Sequence, residues 1–245
     1  MDWYPVLLRE LLIFRRRLLK FGYLLSAMML PIIYFIVFGL GLGRMVQMGE
    51  KGYLSFLIPG LVAMTSMTNS YTWIANSINL NRLYFKTFQV LYLAPISYSS
   101  IIVGEVLAGM IKGLFAASLI ILVGYVTCPH FGLSLPFIVA LFLNCFLFAN
   151  LGFLVGMSAK GHEETATYFN FFILPMGFFC GTFFPIERIP IFLKPIVYVL
   201  PLTYTNILIR KEFFDTLAWI CVLMLVFYSV ILFVLGFRSL KNYSE

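Results

Sequence analysis

Six runs along this chain, at 22–42, 54–78, 100–126, 135–157, 167–184 and 217–237, are almost wholly apolar. Crossing the hydrocarbon core takes about 20 residues of helix. Backbone N–H and C=O groups have no water to bond there, so such runs satisfy them internally and become helices. Across the 245 residues 62% are apolar and 11% are charged, too little charge to cover the surface of a soluble domain of this length. The expected fold is therefore an all-α polytopic membrane protein. It would be one domain over 1–245, with six spans, and no soluble domain or fixed-period repeat is evident. The first run is too long for the apolar core of a signal peptide and lacks a small-residue cleavage site, so it should stay as a helix.

One stretch breaks the pattern. Residues 183–204, FFPIERIPIFLKPIVYVLPLTY, place Pro185, Pro190, Pro195 and Pro201 among apolar residues, with Glu187, Arg188 and Lys194 between them. Each interior proline removes a backbone donor and clashes with the preceding turn, so no continuous span runs here. The expectation for 185–210 is a pair of short re-entrant helices shielded from lipid by their neighbours. Pro185 ends the fifth span, Pro190 and Pro195 bracket a first short helix, and Pro201 starts the return past Tyr204.

Orientation follows the Lys/Arg content of the connections. With both termini inside, ten such residues are cytoplasmic (Arg9, Arg15, Arg16, Arg17, Lys20, Arg82, Lys86, Lys160, Arg238, Lys241) against six outside (Arg44, Lys51, Arg188, Lys194, Arg210, Lys211). That assigns 185–210 to the extracytoplasmic side, as a cap. Because position decides what the formal +7 means in a membrane chain, no nucleic-acid partner is inferred. Residues 1–21 form an amphipathic helix in which Tyr4, Leu7, Leu8, Leu11, Phe14 and Leu18 oppose Arg9, Glu10, Arg16, Arg17 and Lys20. Such a helix lies in the headgroup plane, basic side towards anionic lipid, either as an anchor or as an interfacial gate for an amphiphile.

Polar groups inside the spans are the candidates for mechanism. Thr65, Asn69, Thr72 and Asn76 recur at four, three and four residues, hence on one helical face. They bond to neighbouring helices or line a substrate path. Glu105 and Lys112 are the clear intramembrane charges, roughly 10 Å apart along one helix face and too distant to pair with each other. Glu105 can snorkel, whereas Lys112 needs a partner from elsewhere. The pairs Gly39/Gly43, Gly109/Gly113, Gly152/Gly156 and Gly177/Gly181 read as close helix packing.

What is missing narrows the energy source. Ion-driven carriers place carboxylates or histidines near the midplane, while His130 and His162 fall in loops. No GxxxxGK[ST] loop is present, so this chain would not hold ATP that way. HExxH, GxSxG and intramembrane aspartate pairs are also absent, and Cys128, Cys145, Cys180 and Cys221 show neither a CxxC pair nor a metal-ligand spacing. A separate ATPase is the economical driver, and it would push on the inner loops. The 79–99 loop carries few charges and holds a short helix, 85–93, whose apolar face with Phe85, Phe88 and Leu91 would dock in a partner groove before Ala94-Pro95. SAKGHEETAT at 158–167 offers Glu163 and Glu164, as a solvated loop or a second contact. An ion channel or secondary transporter is the competing reading, and a membrane enzyme or assembly scaffold a third.

Several segments together resemble the permeases of ABC-2 type exporters over nearly the whole chain. PIIYFIVFGLGLG (31–43) is similar to the end of the family's first span, YLSFLIPGLVAMTSM (53–67) to its second, FKTFQVLYLAPISYSSIIVGEVLAG (85–109) to its coupling segment, and GTFFPIERIPIFLKPIVYVLPLTY (181–204) to its extracytoplasmic segment. The resemblance implies a six-span subunit of the prokaryotic inner membrane. It would dimerise, as a homodimer in the simplest case, around a central path and bind two copies of an ATPase. ATP and Mg2+ would reside in that partner and no cofactor in this chain. ATP binding would move residues 85–96 and shift spans one, two and five. The cargo would be lipid-linked or amphiphilic: glycolipid, polysaccharide or drug.

Overall fold

The computed structural model describes residues 2–18, 21–42, 52–128 and 131–243. Among them it is all-helical, without strands. The order is α1 (Tyr4–Leu18), α2 (Phe21–Tyr34, continuing as a π-helical segment, Phe35–Leu42), α3 (Gly52–Leu83), α4 (Thr87–Leu93), α5 (Tyr98–Thr127) and α6 (Leu135–Ser158). Then come α7 (His162–Tyr168), a π turn at Phe169–Ile173, α8 (Leu174–Phe179), a 3-10 turn at Ile186–Arg188, α9 (Lys194–Val199), α10 (Pro201–Leu208) and α11 (Thr216–Lys241). Lys20, Gly43, Arg44, Lys51 and His130 lie outside the described residues.

Three of these helices, α5, α6 and α11, are long and apolar enough to cross a membrane. At 32 residues α3 has the length, but its threonines, serines and asparagines dilute its apolar character. The expected first span is divided between α2, which contains Pro31, and the π segment, and the expected fifth between α7, the π turn and α8. Both interruptions coincide with proline or with a local i→i+5 pattern, usual causes of a broken helix.

The centre of the bundle is α3, with α5 and α6 against it. Close approach is made by small residues. A Cβ on Gly152 would come within 2.6 Å of the Tyr71 carbonyl, and one on Gly109 within 2.6 Å of Ile74 Cγ1. The Gly109/Gly113 and Gly152/Gly156 pairs thus seat α5 and α6 on α3. A polar seam crosses the same core: Asn144 donates to the Ala63 carbonyl at 3.0 Å and to Ser66 Oγ at 2.8 Å, and Thr205 donates to Asn144 Oδ1 at 2.9 Å.

At one end, α4 is followed by Ala94-Pro95, and Ser97 caps α5 by accepting from the Ser100 N–H at 3.2 Å. The last carbonyls of α6 lack helical partners. Buried Arg82 donates to those of Met157 and Ala159, and Asn79 to Ala159 at 3.3 Å. At the opposite end, Pro201 opens α10 as expected, but Pro190 and Pro195 do not bracket a helix. Residues 191–193 form a turn and α9 begins at Lys194, with Pro195 in its first turn. Proline fits there because its missing N–H is one the helix start would leave unpaired anyway. Pro185 stands just ahead of the 3-10 turn rather than ending a helix, since α8 has already stopped at Phe179. Gly181, at φ 83, makes the turn that an L side chain would strain.

Candidate transport groove

A groove of about 360 Å³ runs between α1, α2 and α3. Thr65, Asn69, Thr72 and Asn76, the polar stripe of the second apolar run, all line it. So do Thr68, Ser77 and Asn81 on the α3 side, while Leu30, Pro31 and Tyr34 of α2 and Ile13 of α1 form the apolar side. Inter-helix bonding does not occupy this stripe. Asn69 donates to the Thr65 carbonyl at 2.9 Å, Thr68 to the same carbonyl at 3.1 Å, and Thr72 to that of Thr68, all within α3. The Thr65 hydroxyl is buried and makes no hydrogen bond. The half-buried Asn69, Thr72 and Asn76 side chains therefore retain capacity for a guest.

The wall behind Trp73 and Ser77 is ionic. Lys112 Nζ lies 3.0 Å from Glu10 Oε2, and Arg9 Nη2 lies 2.7 Å from Glu105 Oε1 and 3.3 Å from Glu10 Oε1. Trp73 Nε1 donates to Glu10 Oε2 at 2.9 Å, Ser77 Oγ donates to Glu10 Oε1 at 3.2 Å, and the Lys112 ammonium stands 3.5 Å from the Trp73 ring centroid. Glu10, Glu105 and Lys112 are all buried. Lys112 does find its partner on another helix. Glu105, however, does not snorkel to water, because Arg9 neutralises it in place. The expected orientation of α1 is corrected too. Its buried stripe is Val6, Glu10 and Phe14, whereas Tyr4, Leu8 and Leu12 are exposed. Gly104 supplies the notch, since a Cβ there would sit 2.7 Å from Val6 Cβ and 2.9 Å from the Trp3 carbonyl. Glu10, Trp73 and Arg9 went unrecognised in the sequence because a helical wheel assigns every charge to the wet side.

The short helix α4, expected as a docking helix, is placed at 87–93, within the range read from sequence, but it is two-faced. Phe85, Val90 and Leu93 are exposed, Leu91 is half-buried, and Phe88 is wholly buried against Ile101, Ile102 and Leu240. Phe88 therefore anchors the helix and presents nothing outward. Glu163 is exposed, while Glu164 accepts from the Lys160 N–H at 2.5 Å, a bond local to the start of α7. At the far end, Arg210 Nη2 donates to the carbonyls of Phe56 at 3.1 Å and Gly181 at 2.9 Å, and Nη1 to Asn206 at 2.7 Å. Pro59, inside α3, has no N–H for the Ser55 carbonyl four residues back, and Arg210 binds the adjacent Phe56 carbonyl. Burial pushes the Arg210 guanidinium down to about 9, with Glu187 opposing, which leaves it a cation at neutral pH. Nearby, the Lys211 ammonium at 2.5 Å and the Ala218 N–H hold Asp215 below the usual carboxylate range. Tyr204 donates to the Tyr198 carbonyl at 2.7 Å, tying α10 to α9.

The family model described as ABC-2 type transporter matches residues 6–214. The chain belongs to the ABC-2 type transporter family. Similar proteins include the inner membrane transport permease YadH of Escherichia coli K12, 29% identical over 174 residues, covering 70% of this chain and 68% of YadH. Nodulation protein J of Rhizobium leguminosarum bv. trifolii is 29% identical over 220 residues, covering 86% of this chain and 80% of that protein. That of Sinorhizobium fredii is 27% identical over 190 residues, covering 76% and 71%. As an ABC-2 permease, the chain is a membrane subunit of an ABC transporter, and the family implies an ABC ATPase as its partner.

Proposed function

We propose that this ABC-2 permease exports an amphiphile with an uncharged, hydroxyl-rich head through the α1–α2–α3 groove, driven by a separate ATPase. The lining of the groove carries this reading. Hydroxyls and amides form one side and apolar side chains the other, and no Lys, Arg, Asp, Glu or His is among the described residues that line it. A formal charge dehydrated there would lack a counter-ion, whereas a sugar-like head exchanges its water for Asn69, Thr72 and Asn76. The ionic groups behind Trp73 are paired with one another, and none is among the described residues that line the groove.

In this reading α2, α3, α5, α6, α7–α8 and α11 are six spans in the prokaryotic inner membrane, with both termini cytoplasmic. Residues 185–210 are a re-entrant outer cap bearing Pro185, Pro190, Pro195, Pro201 and Tyr204. Two copies of the chain face each other across the path. Two ATPase copies hold ATP and Mg2+ and dock on the exposed side of α4, with Ala94-Pro95 as its stop and Glu163 as a flanking contact. The cargo is a glycolipid or lipid-linked saccharide in preference to a cationic drug.

Reconstitution with the ATPase in lipid vesicles tests this. An acylated neutral oligosaccharide should stimulate hydrolysis more than phosphate- or ammonium-headed amphiphiles of equal chain length. Asn69→Leu or Asn76→Leu should each weaken that stimulation about fivefold, the equivalent of one net hydrogen bond of about 1 kcal/mol. Equal stimulation by the ammonium lipid would overturn the cargo assignment. Flux driven by a proton gradient without ATPase would replace the exporter by a secondary transporter.

A further inference from the structure

We infer that Tyr243 is a positioning residue that clamps the inner face of α4 to α11, so that α11 carries the ATPase stroke to the outer cap. The inference rests on the reading of α4 as the docking helix. Two faces of α4 do different work. Val90 and Leu93 point away from the bundle, while Phe88 and Tyr92 point into it. The Tyr243 ring meets both inward residues edge-on, with centroids 5.8 Å from Phe88 and 5.5 Å from Tyr92. Tyr92 also stacks on Tyr98 of α5 at 5.5 Å, and Tyr98 meets Phe237 of α11 at 6.5 Å. Edge-to-face and offset pairs at these distances add about 0.5–1.5 kcal/mol each beyond buried area, and they resist sliding because ring geometry is directional.

Tyr243 reaches this position because the chain turns at the end of α11. The Asn242 N–H donates to the Arg238 carbonyl at 3.0 Å and the Tyr243 N–H to that of Leu240 at 3.2 Å, while Leu240 is buried beside Phe88. From there α11 runs 26 residues, about 39 Å of rigid helix, to the opposite end of the bundle. Tyr228, on its way, donates to the Val199 carbonyl of α9 at 2.8 Å and lies 6.4 Å from the Tyr204 ring of α10. One helix thus touches the docking helix at one end and both cap helices towards the other. Much of its remaining surface is apolar and faces outward, which leaves it room to tilt against lipid.

The clamp predicts a separation of binding from transmission. Tyr243→Ala should co-purify with the ATPase and keep basal hydrolysis, yet lose cargo-stimulated hydrolysis and transport at least tenfold. Tyr243→Phe should retain both, because the contacts to α4 are made by the ring. Spin labels at Ile196 on α9 and Ile138 on α6 should change separation on ATP binding in the parent, and remain fixed in Tyr243→Ala. Intact transport in Tyr243→Ala overturns the proposal. So does loss of ATPase co-purification in that variant, because the residue would then merely seat α4. Val90→Asp, on the outward face, isolates the underlying reading: retained co-purification there refutes α4 as the docking helix whatever Tyr243 does.

Discussion

At the scale of single residues, the informative group is the quartet of Arg9, Glu10, Glu105 and Lys112. Moving any one of these charges out of water alone would cost several kcal/mol, and only mutual pairing makes the arrangement tolerable. Lys112→Met should therefore be harsh, by about 3–5 kcal/mol, because it leaves Glu10 buried with only Arg9 to neutralise it. Adding Glu10→Gln should recover much of that loss, since the amide oxygen still accepts from Trp73 Nε1 and no unpaired carboxylate remains. Thermal unfolding in detergent of the two single variants and the double variant reads the coupling directly; additive losses would mean the pair does not interact. From sequence, the need of Lys112 for a partner was legible. Its identity was not, because nothing in the spacing of α1 shows that Glu10 turns inward towards a residue 102 positions away.

At the scale of elements, local chemistry announced some helices and misled on others. The short helix α4 was readable from few charges, aromatic content and the Ala94-Pro95 stop, whereas its division into buried Phe88 and exposed Val90 depends on what α5 and α11 place beneath it. The four-residue stripe on α3 was legible because helical period alone brings Thr65, Asn69, Thr72 and Asn76 together. The prolines marked the breaks of 183–204 but, apart from Pro201, not the starts, since one proline fits equally before a helix and in its first turn. α1 was misread because amphipathicity ranks residues by polarity and is blind to a matching notch. Gly104→Leu tests that notch. Its side chain has no room beside Val6 and Trp3, so α1 should be displaced. A cysteine introduced at Val6 should then react with a membrane-permeant maleimide at least tenfold faster than with Gly104 intact. The four native cysteines are buried and supply little background.

At the scale of the whole molecule, composition announced the class, and the length of the apolar runs placed the three helices that meet both length and apolarity. The way the elements are fastened to one another could not be read ahead. Two arginines do that work at opposite ends, Arg82 on the carbonyls that finish α6 and Arg210 on carbonyls of α3, the Gly181 turn and α10. In an apolar surround a freed carbonyl finds no water to replace its donor, so a planar fork serving several carbonyls couples elements that are remote in sequence. Arg210→Lys keeps the charge and loses the fork. The ammonium can reach one or two of these carbonyls from a single point, so the cap should loosen by on the order of 3 kcal/mol. Hydrogen exchange over 181–208 should quicken roughly a hundredfold for that loss, while amides of α3 near Arg82 keep their protection. Arg82→Lys should give the mirror result, loosening the end of α6 and sparing the cap. If either variant accelerated exchange at both ends alike, the two fastenings would be one cooperative unit, and neither end could open without the other.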